Sequence, residues 1–252
     1  MPLRFVGRLG LADAVTVANA AVGFLAVVAA TVDLELAARL VLLAAVADGL
    51  DGVVARHRGS SEAGPYLDSL ADVASFGVAP ATLVAVAVLD ARSFESDPGF
   101  VAVGLGAASL FVAMAVARLG MYTAYDSGER ETVGVPTTLA ATVLAAAVIA
   151  GYTAPALLVA AAAAFALLMG STITYPDLHA QDALVMGVVQ AAVILTPVGQ
   201  MATASLPPWI GEGFAFALLF LACGYLVLGP RFYWGDGIRS PPDREDVEEN
   251  RA

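Results

Sequence analysis

Four aspartates lie between residues 48 and 72, on two apolar segments that a short polar loop separates. Asp48 and Asp51 are three residues apart and Asp68 and Asp72 are four apart, so each pair shares one face of a helix. Carboxylates that converge repel one another unless protons or cations lie between them. A ligand set of oxygens without His or Cys suits hard divalent cations such as Mg²⁺. The spacing therefore predicts a divalent-metal site between two neighbouring helices.

The chemistry favoured by such a site is displacement at phosphorus. Two divalent ions roughly 4 Å apart can stabilise both the entering and the leaving oxygen of that reaction. Residues with little or no side chain surround the acids and leave room for a bulky ligand; they are Gly49, Gly52, Ala55 and Gly64. The pattern thus indicates transfer of a phosphorus-bearing group.

Two other interpretations of the acids are open. Single acids at helix ends usually cap the helix or are solvated, and Asp68, early in its helix, fits that role. Cation or proton transporters also carry acids inside the membrane, but these are spread through the bilayer depth. The remaining acids of this chain fall at segment ends or in loops, which favours a single acidic site over a transport path.

The composition is that of a polytopic membrane protein. Of 252 residues, 59% are hydrophobic and 14% are charged, outside the range of soluble domains. Because the bilayer interior offers the backbone no water, each spanning segment must be a helix. Eight apolar runs approach the length of about 20 residues that spans a bilayer. They lie near 12–32, 34–57, 67–89, 99–123, 135–153, 155–174, 182–202 and 211–230. The predicted fold class is an all-α integral membrane protein of about eight transmembrane helices.

The arginines predict the orientation. With the N-terminus inside, ten of the twelve arginines lie at cytosolic ends, in cytosolic loops or in the tail, and only Arg39 and Arg92 lie outside. Both termini and the loop at 56–64 are then cytosolic. The net charge of −11 and the absence of lysine exclude a basic nucleic-acid surface. The same composition indicates a cytoplasm of very high salt, with residues 233–252 as a solvated acidic tail.

The aspartate pattern resembles the signature of the CDP-alcohol phosphotransferase family. The residues that carry the resemblance are Asp48, Asp51-Gly52, Ala55-Arg56, Gly64, Asp68 and Asp72. The loop between Arg56 and Gly64 is one residue shorter than is usual. Flanking segments are similar to the serine-transferring branch of the family, the phosphatidylserine and archaetidylserine synthases. These segments are Leu67 to Ala81, Ala117-Arg118-Leu119, Gly134-Val135-Pro136 and Tyr175-Pro176.

The resemblance implies an architecture for the chain. Residues 1–232 would form a membrane catalytic domain, with a six-helix core at about 10–175 and two added helices at about 182–230. The core would surround a polar cavity that opens to the cytosol, in a homodimer within the cell membrane. Residues 233–252 would lie outside this domain as the cytosolic tail.

The resemblance also implies a reaction. Asp48, Asp51, Asp68 and Asp72 would hold two divalent cations, Mg²⁺ or Mn²⁺, and Asp72 would also act as the base that takes the acceptor's proton. The enzyme would transfer a phosphatidyl-type group from a CDP-activated lipid to the hydroxyl of L-serine and release CMP. The acidic, lysine-free composition favours an archaeal ether lipid. Glycerol phosphate or inositol phosphate is the alternative acceptor, although its phosphate requires a basic cluster that this chain hardly offers.

Contacts to the CDP-lipid follow from the same resemblance. They are expected at Asp13, Thr16, Gly52, Ala55, Arg56, Ser61 and Gly64. For Asp13 the alternative is capping of the first helix, and for Ser61 it is ordinary loop structure. Arg118 is expected to contact the lipid phosphate or the serine carboxylate, with an interfacial arginine as the alternative.

Overall fold

The structure, a computed structural model, describes residues 9–58, 61–126, 131–176, 180–202, 207 and 209–232. Its helices are α1 (Leu11–Ala30), α2 (Leu34–Arg58), α3 (Gly64–Asp72), α4 (Ala79–Ala91), α5 (Pro98–Met121), α6 (Thr137–Ile149), α7 (Pro155–Met169), α8 (Ala180–Ala202) and α9 (Trp209–Phe232). Two π-helical segments, Val73–Val78 and Tyr122–Asp126, follow α3 and α5. Two short strands, β1 (Glu131–Val133) and β2 (Thr174–Pro176), complete the regular structure of the described residues. The predicted all-α class is confirmed, and a helix lies in each of the eight predicted apolar runs.

In the part of the chain that the structure describes, four helical stretches are long and apolar enough to cross a membrane. They are Leu11–Ala30, Gly64–Ala91, Pro98–Tyr125 and Trp209–Arg231. The chain is therefore an integral membrane protein.

The helices of the fifth and sixth predicted runs, α6 and α7, are shorter than the sequence predicts. α6 has 13 residues and α7 has 15, against predicted runs of 135–153 and 155–174. A tight turn at Gly134, followed by Pro136, delays the start of α6, and α7 stops at Gly170 before the chain enters β2. At about 1.5 Å per residue these helices are roughly 20 and 22 Å long.

The helical stretch Gly64–Ala91 consists of α3, a π-helical segment and α4, and is called the third rod below. Its hydrogen-bond register changes in the middle. Pro80 has no amide hydrogen, so the regular ladder cannot continue through it, and the amide of Ala79 instead donates to the carbonyl of Ala74. The six π-helical residues Val73–Val78 join α3 to α4 at this point. π-helical turns are frequent at functional sites, and this one directly follows Asp72.

Helix α1 lies against this π-helical segment at very short range. A Cβ on Gly23 would lie 2.8 Å from Cα of Ser75, so only glycine permits the approach. Ser75 Oγ in turn donates to the carbonyl oxygen of Asn19, at 3.0 Å. α1 is thereby fixed directly behind the aspartates of α3.

The bundle is organised around the alanine-rich helix α6. Eleven of its 13 residues are buried, and it packs against α2 and α9. Small side chains allow helices to approach closely where no hydrophobic driving force operates between them. The buried Gln190 of α8 donates to the carbonyl oxygen of Leu42 in α2, at 2.9 Å. The last two helices are thus tied to the same bundle as the first seven.

A two-stranded antiparallel ribbon lies at the end of the bundle that carries the aspartates. Thr132 of β1 is opposite Tyr175 of β2. After β1, Gly134 adopts a φ of +79°, and its amide donates to Ile173 O at 2.8 Å. This turn sets the place at which α6 begins.

The turn at Gly134 generates a prediction about stability. A Cβ on Gly134 would overlap the carbonyl oxygen of Met169, whereas Gly151, at a φ of +87°, has open space around it. Left-handed backbone costs an L-residue roughly 1–2 kcal/mol. We therefore expect Gly151→Ala to lower the Tm slightly and Gly134→Ala to lower it clearly more, as measured by thermal unfolding in detergent. Equal Tm values for the two variants would contradict the close packing at Gly134.

Candidate active site

Three aspartates from two helices meet at one point. Asp48 of α2 and Asp68 and Asp72 of α3 each place one carboxylate oxygen within 4.8 Å of the other two. α2 and α3 both pack against α1, and Asp48 of α2 thereby meets the two acids of α3. Asp72 is only 8% exposed, and its Oδ1 is buried without a hydrogen-bond partner in the described part of the chain.

Asp51 lies beside this cluster and is oriented by the first helix. Its Oδ2 accepts a hydrogen bond from Thr16 Oγ1 at 2.6 Å, and Thr16 also donates to the carbonyl oxygen of Ala12. Both side chains are buried. Asp51 also acts electrostatically on the other acids, including Asp68 and Asp72. α1 therefore sets the direction of one acid next to the three that converge.

The arrangement fits a divalent cation. Like charges this close in a buried site are unfavourable unless a cation or protons lie between them. Carboxylate oxygens are the ligands that Mg²⁺ and similar ions prefer, and the unpartnered Oδ1 of Asp72 offers such a ligand. Asp48, Asp68 and Asp72 can thus hold a metal ion, with Asp51 as a neighbouring ligand.

Arg118 of α5 supplies positive charge near the acids. Its guanidinium donates to Thr132 Oγ1 at 2.7 Å and to Thr137 Oγ1 at 3.3 Å. It also lies 5.9 Å from the centre of the Tyr122 ring, within the range of a cation–π contact. Its charge acts on Asp72. These partners fix the planar group in one orientation near the acids, where it can bind an anion.

The residues predicted to contact CDP lie around the same end of α2 and α3. Gly52 and Ala55 are half-buried on α2, one turn beyond the acids. Ser61 and Gly64 form the entry to α3, where the Gly64 amide donates to Ser61 O at 2.9 Å. The side chain of Arg56 lies outside the described residues. The predicted CDP contacts of these residues stay predictions.

Asp13 is engaged with the start of its own helix. Its Oδ2 accepts the backbone amide of Gly10 at 2.6 Å, and the side chain is 1% exposed. This is a capping interaction from the first turn of α1, close to the capping alternative that the sequence offers. A contact to CDP at Asp13 stays a prediction.

The sequence pattern did not single out several polar residues that shape the site. Thr132 and Thr137 hold Arg118, and Ser69, between the two acids of α3, shares a hydrogen bond with Thr123 beyond α5. Asn19 was missed too, although Asp13, Thr16 and Asn19 follow one another at steps of three and form a polar stripe on an apolar helix. That periodicity was a usable signal. Thr132 and Thr137 gave none, because their role depends on a ribbon that the sequence did not predict.

Comparisons with known proteins agree with this geometry. A family model described as CDP-alcohol phosphatidyltransferase matches residues 9–175, well over half of the chain. Archaetidylserine synthase of Methanothermobacter thermautotrophicus is 32% identical over 180 residues, which cover 69% of this chain and 73% of that protein. The family match ends at β2, so α8 and α9 lie outside it.

Two shorter similarities concern proteins named CDP-diacylglycerol–serine O-phosphatidyltransferase. The protein of Methanocaldococcus jannaschii is 43% identical over 75 residues, covering 29% of this chain and 34% of that protein. The protein of Mycobacterium leprae is 43% identical over 86 residues, covering 34% of this chain and 26% of that protein. Both similarities involve a minor part of each chain.

The bond between Thr16 and Asp51 leads to a test of the metal site. Groups that orient metal ligands typically contribute about 10–100-fold to metal affinity. We expect Thr16→Val to weaken Mn²⁺ binding by about tenfold and Thr16→Ser to preserve it, as measured by calorimetry on the purified protein. Thr82→Val is the matched control, because Thr82 also bonds a carbonyl four residues before it but lies on α4. Unchanged Mn²⁺ affinity in Thr16→Val would show that this bond does not orient a metal ligand.

Proposed function

Because the chain belongs to the CDP-alcohol phosphatidyltransferase family, we propose that it transfers a phosphatidyl-type group from a CDP-activated lipid to the hydroxyl of L-serine. CMP is the other product. The observation that carries the proposal is the cluster of Asp48, Asp68 and Asp72, with the guanidinium of Arg118 held nearby by hydrogen bonds. The names of the three similar proteins support serine as the acceptor.

In this proposal the four aspartates hold two divalent cations, Mg²⁺ or Mn²⁺. Asp48, Asp68 and Asp72 provide converging oxygens, and Asp51 provides a fourth carboxylate whose orientation Thr16 sets. Bound ions would offset the charge of the diphosphate and stabilise the entering and leaving oxygens. With the ions bound, the carboxylates would hold the lipid-bearing phosphate near Asp72.

Asp72 is the proposed general base. A base must lie within hydrogen-bond reach of the proton it removes, and Asp72 has an oxygen without a protein donor. The serine hydroxyl loses its proton to Asp72 as its oxygen forms a bond to the lipid-bearing phosphorus. The bond from that phosphorus to the CMP oxygen breaks, and CMP leaves with the electron pair.

Arg118 is the proposed partner of the acceptor's carboxylate. A guanidinium pairs with a carboxylate in a planar, two-pronged geometry, which fixes orientation as well as charge. Thr132 and Thr137 hold the guanidinium, and its charge already reaches Asp72. A serine bound there by its carboxylate can present its hydroxyl to Asp72. The lipid phosphate is the second anion that this arginine can contact.

The nucleotide is proposed to lie along the ends of α1, α2 and α3. Gly52 has no side chain and Ala55 has only a methyl group, so the nucleotide can approach the backbone of α2 closely. Arg56, Ser61 and Gly64 would complete the contacts at the loop, with Asp13 and Thr16 on the side of α1. The matched family segment covers all these positions.

The proposal extends to the cellular setting. The distribution of arginines favours insertion in the cell membrane with both termini and the active site on the cytosolic side. Family membership supports a homodimer. The lysine-free acidic composition and the similarity to an archaetidylserine synthase support an ether-linked, archaeal lipid as the donor.

Asp72 gives the most direct test of the reaction. With CDP-archaeol, L-serine and Mn²⁺, Asp72→Asn should lower the rate of CMP release at least about a hundredfold, because the variant lacks both a base and an anionic ligand. Asp90→Asn is the matched control, since Asp90 is an exposed acid at the far end of the same rod.

Size-exclusion chromatography and Tm would confirm that both variants are folded. Full turnover by Asp72→Asn would contradict the mechanism. CMP release that depends on glycerol phosphate or inositol phosphate, and not on serine, would contradict the proposed acceptor.

If Arg118 binds the carboxylate of serine, its replacement should reduce the preference of the enzyme for serine over ethanolamine. Ethanolamine resembles serine without its carboxylate, so the native enzyme should prefer serine strongly. We expect Arg118→Gln to raise the KM for serine about 10–100-fold, the range for a charged hydrogen bond, and to leave the slow reaction with ethanolamine unchanged. Arg39→Gln is the control, because Arg39 pairs with Glu35 near the start of α2. Equal losses for serine and ethanolamine would contradict a carboxylate contact.

A further inference from the structure

One of the two threonines that hold the guanidinium of Arg118 lies in a strand and not in a helix. Thr132 accepts the shorter of the two hydrogen bonds that Arg118 donates to threonines, and it is the central residue of β1. β1 has three residues and pairs with β2, where Tyr175 lies directly opposite Thr132. A two-stranded ribbon this short is marginally stable alone. Its position must therefore come from elements packed against it.

Helix α9 holds the second strand through two tyrosines. Tyr225 of α9 donates its hydroxyl to the carbonyl oxygen of Pro176 at 2.5 Å, and Tyr175 of β2 donates to the carbonyl oxygen of Leu226 at 3.2 Å. The two rings also pack against each other, with centroids 6.1 Å apart. Strand and helix thus exchange reciprocal hydrogen bonds at the C-terminal half of α9.

The tyrosine pair is suited to a fixed contact. Tyr175 is 2% exposed, and its burial raises the pKa of the hydroxyl above the ordinary value, so that it remains a donor. Pro176 has no amide hydrogen, and its carbonyl oxygen accepts the Tyr225 hydroxyl. A continuous set of contacts therefore runs from α9 through β2 and β1 to the guanidinium of Arg118.

We propose that α9 is a positioning element of the acceptor site, in which Tyr225 and Tyr175 fix the ribbon so that Thr132 directs Arg118 toward Asp72. The inference rests on the proposed role of Arg118 in binding the acceptor. It assigns a function to a helix outside the matched family segment. Tyr225 is a positioning residue, since it touches the strand and not the reacting groups.

The test is a double-mutant cycle with acceptor affinity as the readout. Tyr225→Phe keeps the ring and removes the hydroxyl, and Thr132→Val removes the acceptor for Arg118. We expect each single variant to raise the KM for serine about three- to tenfold, the size of one hydrogen bond, with little change in kcat or in the KM for CDP-lipid. The double variant should match Thr132→Val alone, because both act through one contact.

A matched control separates positioning from general packing. Tyr152 packs edge-on against Phe216 at the other end of α9, with ring centroids 6.0 Å apart. Tyr152→Phe should leave the KM for serine unchanged. Thr132→Ser, which restores a hydroxyl, should recover most of the affinity that Thr132→Val loses.

Three results would overturn the positioning role. The first is a KM increase in the double variant that equals the product of the two single increases. The second is a parallel change in the KM values for serine and CDP-lipid. The third is a KM increase in Tyr152→Phe as large as that in Tyr225→Phe. A measurement without substrate keeps the inference separate from the proposed function. Hydrogen exchange at Glu131–Val133 should become faster in Tyr225→Phe than in the native protein, whatever the acceptor. Unchanged exchange would contradict the positioning role, whereas failure of serine to support CMP release in the native protein would contradict only the acceptor.

Discussion

The structure depends on keeping like charges together inside an apolar bundle. Asp48, Asp68 and Asp72 come from two helices and approach within 4.8 Å of one another, where mutual repulsion and loss of hydration both oppose folding. Such an arrangement persists when a cation offsets the charge and the surrounding helices fix the acids. A phosphorus-bearing ligand with its own negative charges can bind only after that charge is offset. The same physical constraint therefore underlies both the proposed metal site and the proposed substrate.

The neighbouring elements serve this constraint in distinct ways. α1 approaches the third rod closely at Gly23 and orients Asp51 through Thr16, while the π-helical turn after Asp72 places Ser75 against α1. Arg118 lies near the acids and donates to Thr132 of the ribbon, which α9 is proposed to position. The acids are thus fixed from one side, and the anion-binding group from the other. In the proposed mechanism, the nucleophile and the phosphorus atom meet between these two groups.

The acids and the helical class were predictable, because aspartates at helical spacing on apolar segments have few physical explanations. The eight apolar runs predicted the helices well, apart from the ends of α6 and α7. The register change at Val73–Val78 was not predicted, since it depends on how Pro80 is accommodated in a packed rod. The partners of Arg118 could not be predicted either, because Thr132 belongs to a strand whose partner, β2, is far from it in sequence and adjacent only in the folded chain. Local pattern thus revealed the chemistry, and tertiary contacts revealed its positioning.

The central claim is that these carboxylates bind divalent ions as one site, and Mn²⁺ titration followed by electron paramagnetic resonance tests it most directly. The account predicts that each chain binds two Mn²⁺ ions whose spectra show magnetic coupling, and that Asp68→Asn removes the coupling. A spectrum of free Mn²⁺ throughout the titration, or coupled binding that is identical in Asp68→Asn, would contradict it.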